Sequence, residues 1–89
     1  MDKIDILIKE ALQGGMGIGD RGVCVDLAHV IADYHSIKYS VDLKRIVMVG
    51  VSATIASAIE NKVNVDTACR HLRKLFLESE EFKSVIKNL

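Results

Sequence analysis

Between residues 2 and 13, Ile4, Leu7, Ile8, Ala11 and Leu12 recur at i, i+3, i+4, i+7 and i+8, while Lys3, Asp5, Lys9 and Glu10 fall on other positions. That period is the signature of an amphipathic helix. Asp2 stands where it can cap the first amides, and Gly14-Gly15, where the backbone can turn left-handed without a Cβ clash, marks the end. From about Asp20 or Arg21 to Ile37 a second helix is predicted, with Val23, Leu27, Val30, Ile31 and Tyr34 on one face and Cys24 and Ala28 widening the stripe. Asp26, His29 and Asp33 take its wet side. After Lys38-Tyr39, Ser40 caps a third helix predicted from Val41 to about Glu60 or Asn61, with Asp42 complementing its positive end. Asn64 or Asp66 opens a fourth, on which Val65, Ala68, Cys69, Leu72, Leu75 and Phe76 keep the apolar period. The same phase runs on through Phe82, Val85, Ile86 and Leu89, so the spacing fits one long helix or two. Ser79 followed by Glu80-Glu81 predicts a fresh helix start at Ser79.

The third segment differs from the others. Residues 46–59 are fourteen consecutive positions without a charge, interrupted only by Ser52, Thr54 and Ser57 among side chains that carry a polar atom. The run Arg45-Ile46-Val47-Met48-Val49-Gly50 has the β-branched enrichment of a buried strand as well. Helix is preferred, because a capped start and an alanine-rich end flank the run and no other segment alternates to pair with it. A membrane span needs about 20 apolar residues, so the segment is too short for one. A helix apolar on all sides must be surrounded, and the few other helices of a small chain cover it only in part. Its small residues, Gly50, Ala53 and Ser57, let another helix come close. Either the domain's own helices wrap it or one face meets a second copy or a partner protein; in the second case the interface is expected at Val47, Val51, Thr54 and Ala58, with a homo-oligomer as the preferred assembly.

Composition narrows the class. The 89 residues have room for a single helical domain, 1–89. With 49% hydrophobic and 27% charged residues the chain has the make-up of a folded protein. Only Tyr34, Tyr39, Phe76 and Phe82 are aromatic, so the core must come from Ile, Val, Leu and Ala. The expected fold is all-α, a compact bundle of four to five helices around a central apolar helix. Twelve basic residues against twelve acidic ones argue against a surface that is an electrostatic trap for nucleic acid or membrane. Cys24 and Cys69 each sit in an apolar period; with no secretory signal at the start of the sequence, they read as two thiols in a cytoplasmic protein.

Several residues invite chemistry. Gly17-Ile18-Gly19-Asp20-Arg21-Gly22 spells G-x-G-x-x-G, and Gly17, Gly19, Arg21 and Gly22 form a candidate anion-binding or nucleotide-binding loop. The segment before it reads as a helix rather than the strand a dinucleotide site requires. Asp26, His29 and Asp33 share a helix side but lack a metal-ligand spacing, so no metal is expected. His35 and His71 have no carboxylate nearby in sequence, and Cys69, beside Arg70 and His71, holds a core position. No catalytic residue and no cofactor are expected, and the chain reads as a non-enzyme. Lys62, Arg70, Arg73 and Lys74 form the strongest basic patch, fit for an acidic partner protein.

The string Gly50-Val51-Ser52, followed by Ser57, Ile59, Glu60 and Asn61, resembles the turn and recognition helix of Cro and phage-repressor DNA-binding domains. The likeness covers residues 43–62 and implies a helix-turn-helix DNA-binding regulator. The positions that would then enter the major groove hold Ala53, Thr54, Ala56 and Ala58, which supply few donors to base edges. DNA therefore ranks below a protein partner. The sequence points first to a small regulatory or inhibitory protein that acts through protein–protein binding.

Overall fold

The structure, a computed structural model, describes residues 2–14 and 21–89, of Arg21 the backbone alone. Five helices follow one another: α1 (Lys3–Gln13), α2 (Arg21–Tyr34), α3 (Val41–Asn61), α4 (Val65–Glu78) and α5 (Glu80–Lys87), with no strand among the described residues. This is the all-α bundle that the periodicity predicts, and the β-branched run 45–50 lies inside α3.

The starts of α1, α3, α4 and α5 are each fixed by a side chain on an otherwise unpaired amide. Asp2 Oδ1 accepts from the Asp5 N–H at 3.1 Å, Ser40 Oγ from Leu43 at 3.1 Å, Asn64 Oδ1 from Thr67 at 2.8 Å and Ser79 Oγ from Phe82 at 3.2 Å. Each such cap is worth about 1 kcal/mol. Ser79 also ends α4, its N–H donating to the Lys74 carbonyl, so the last two helices are separate.

The helix ends depart more from expectation. α2 stops at Tyr34, three residues early, because Ser36 adopts a left-handed backbone (φ 56°). The Ile37 N–H then reaches the Ala32 carbonyl at 2.9 Å and the Ser36 N–H reaches Asp33 at 3.2 Å, the paired bonds of a Schellman ending. Lys62 (φ 54°) ends α3 in the same way, with Val63 N–H on Ala58 and Lys62 N–H on Ile59. Neither position is a glycine, so each carries left-handed strain. Gly14, in contrast, ends α1 with φ −66° and makes no use of its freedom.

α4 packs against α1, α3 and α5 and reaches α2. Its Leu72 and Phe76 are completely buried, together with Ile8 of α1, Leu27 and Ile31 of α2, and Leu43, Val47 and Val51 of α3. Phe82 and Ile86 of α5 cover the end of this cluster, the Phe82 ring 5.4 Å from that of Phe76. α3 comes onto α4 at Gly50, where a Cβ would stand 3.1 Å from Phe76 Cε1. No helix of the described residues is long and apolar enough to cross a membrane.

Urea denaturation of three kinds of variant tests this packing. Phe76→Ala is expected to cost about 3–5 kcal/mol. Gly50→Val, which drives a branched side chain into the fully buried Phe76 ring, is expected to cost about 1–3 kcal/mol. Ser36→Gly and Lys62→Gly are each expected to stabilise by roughly 0.5–1 kcal/mol, since relief of left-handed strain exceeds the added freedom of the unfolded chain.

Candidate functional site

The surface that stands out is the side of α3 turned away from the bundle. Of residues 46–59 only Val47 and Val51 are buried. At 100° per residue those two, with Leu43, mark the inward line, and Arg45, Val49, Ser52, Ala53, Ala56 and Glu60 lie opposite. Val49 is 67% exposed and Ile59 74%. Met48, Val49, Ser52 and Ala53 form an open apolar shelf bounded by Arg45.

Two grooves flank this helix. One, of about 430 Å³, runs between α3 and α4 past Ala53, Thr54, Ser57, His71 and Leu75. The other, of about 440 Å³, lies between the end of α3 and the start of α4, lined by Ile55, Ile59, Val63, Val65 and Leu12 of α1, with Lys62 the one charged residue among the described ones on its wall. The uncharged segment thus borders open space for most of its length.

The expected interface residues divide. Val47 and Val51 are wholly inside the domain's own core and have nothing to offer a partner; the inward and outward sides of an all-apolar helix cannot be told apart by periodicity. Thr54 and Ala58 are half-buried at the walls of the grooves. Ala53 and Ala56, expected as small residues that admit another helix, are exposed on the outer side, and Val49 beside them is the residue that the sequence did not single out.

Of the expected basic patch, Arg73 is engaged within the bundle. Arg73 turns onto α1, with Nη1 2.7 Å from Asp5 Oδ1 and Nη2 3.2 Å from Asp2 Oδ2. Both carboxylates hold the guanidinium firmly protonated, and the Arg73 hydrogen bond, followed by that from the Asp5 amide, holds Asp2 below the ordinary aspartate range. Lys9 pairs with Asp66 at 3.3 Å, so α1 and α4 are tied at both ends and run antiparallel. Arg70 and Lys74 remain exposed, as does Lys62 at the end of α3. No signal in the chain links Arg73 to acids some seventy residues away.

Other candidates have packing partners in the fold or lie outside the described residues. Gly17 and Gly19 lie outside the described residues, and Arg21 and Gly22 open α2 as its first two residues. His29 stacks on Tyr39, with ring centroids 3.9 Å apart. His35 Nε2 donates to the Phe76 carbonyl at 2.6 Å, satisfying an acceptor left open at the end of α4. Among the described residues no three His, Cys, Asp or Glu side chains gather as a metal site. Cys24 and Cys69 are buried and unbridged; burial first, then Asp5, pushes the Cys69 thiol up, away from nucleophilic character. Residues 43–62 contain no helix-turn-helix: α3 passes through Gly50-Val51-Ser52 unbroken, and Gly50 serves the approach of Phe76 instead of a turn. No family model, no curated protein and no solved structure matches the chain.

A pH series tests the Arg73 tie. Asp2 has a folded-state pKa below its unfolded one, so its stabilisation is present above the unfolded value and is lost as the pH falls through the folded one. Arg73→Gln is expected to be less stable than the parent at neutral pH, with the gap closing below about pH 4. Chemical denaturation at several pH values checks it; a gap independent of pH would show that packing, not charge, is what the substitution removes.

Proposed function

We propose that this chain is a non-enzymatic regulatory or inhibitory protein that acts by binding another protein through the open flank of α3. One observation carries the reading: fourteen uncharged residues in a row, of which the bundle buries only two. Water contact with Met48, Val49, Ala53, Ala56 and Ile59 has a free-energy cost that association removes, at about 25 cal/mol for each Å² covered. Depletion of charge at the centre with charge at the rim, here Arg45, Glu60 and Lys62, is the pattern of a protein-binding surface. The alternative recipient surface, the basic patch, is weakened by the engagement of Arg73 with α1.

The test is a paired capture. The chain and its Val49→Asp variant, both checked for unchanged helical circular dichroism, are immobilised and exposed to an extract of the native host. Val49 is exposed, so the variant is expected to fold as the parent does. Partners retained by the parent are expected to be lost from the variant by tenfold or more, on the order of 1.4 kcal/mol. Identical retention by both would refute the reading.

A further inference from the structure

We infer that the occupant of the open flank is a second copy of this chain, with the two α3 helices lying antiparallel about a two-fold axis between residues 52 and 53. The inference rests on the protein-binding reading above and names its partner.

The outer side of α3 has a symmetry that a self-pairing helix needs and a helix for an unrelated partner does not. Arg45, Val49, Ser52, Ala53, Ala56 and Glu60 all lie on that side. Laid against itself in the opposite direction about the 52/53 point, the helix sets Arg45 against Glu60 of the second copy, Val49 against Ala56, and Ser52 against Ala53. The two-fold axis repeats each pair, so two ion pairs close the ends of an uncharged strip. Parallel pairing would instead set Arg45 on Arg45 and Glu60 on Glu60, which is repulsive. Ser52, Ala53 and Ala56 keep the centre low, so the helix axes can approach to about 8 Å.

The end groups are available. Among the described residues Arg45 is engaged only by Asp42 of its own helix, at 3.5 Å, with both side chains more than two-thirds exposed. Such an i,i+3 pair contributes little and yields readily to a better partner. Glu60 has no ion-pair partner among the described residues. α3 is 21 residues long, about 31 Å at 1.5 Å per residue, which gives one helix-to-helix contact and less than the roughly 800 Å² per partner of a standard interface. The dimer is therefore weak, forming in the micromolar range or above.

Sedimentation of the full chain from micromolar to near-millimolar concentration, with charge reversals at the two ends, provides the test. Arg45→Glu and Glu60→Arg are each expected to weaken self-association by about tenfold or more, since each sets like charges together twice. An equimolar mixture of the two variants is expected to associate again, as a one-to-one heterodimer in which both end pairs are attractive. The double variant Arg45→Glu/Glu60→Arg, with no change in net charge, is expected to recover the parent's homodimer. A parent that stays monomeric throughout, or a dimer that ignores Arg45→Glu, overturns the inference. If the parent is monomeric yet Val49→Asp still loses a captured protein, self-pairing alone fails and the protein-binding reading stands.

Discussion

Phe76 is the residue through which most of this bundle is joined. Its ring is completely buried, lies within 3.3 Å of the place where a Cβ on Gly50 would stand, and sits 5.4 Å from the ring of Phe82. Its carbonyl accepts a hydrogen bond from His35. One residue of α4 therefore bears on α3, α5 and the end of α2 together. In a chain with four aromatic residues, little else has the volume to do so. The glycine in the middle of α3, unfavourable to a helix by about 1 kcal/mol, is the counterpart of that ring.

Around this centre the charges serve to align helices. Arg73 reaches Asp2 and Asp5, and Lys9 reaches Asp66, so the α1–α4 seam is closed by ion pairs at both ends with Ile8 and Leu72 buried between the helices of the bundle. Asp2 acts twice, capping α1 through Oδ1 and binding Arg73. The charges left for other molecules are then fewer than the composition suggests. This is the physical reason a basic cluster on one helix need not be a binding surface.

The same division of faces accounts for α3. With α4 approaching at Gly50, the core taking Leu43, Val47 and Val51, and Ile46 and Ile55 packed against its edge, the side of α3 that carries Val49, Ala53 and Ala56 is left to water or to a partner. Among the described residues no further helix lies over it. The proposed regulatory role and the proposed antiparallel pairing both arise from that shortfall, and the opposite signs of Arg45 and Glu60 at its two ends decide between directions of approach.

The all-α class, the caps at Asp2 and Ser40 and the helix start at Ser79 were legible in the sequence, because capping and amphipathic period are local properties set within a few residues, while four or five helices, and Asn64 or Asp66 as the cap of α4, stayed open until the fold was known. The left-handed endings at Ser36 and Lys62 were not, since neither residue type announces that backbone. The length and chargelessness of the segment 46–59 were plain from the chain alone, and so was the incompleteness of its burial. Which side it would bury was decided only by tertiary structure: a helix apolar all round has no phase, and Val47 and Val51 went inward because Phe76 meets the helix at the one position without a side chain. The fate of Arg73 was likewise a tertiary matter, set by acids that folding brings from the other end of the chain.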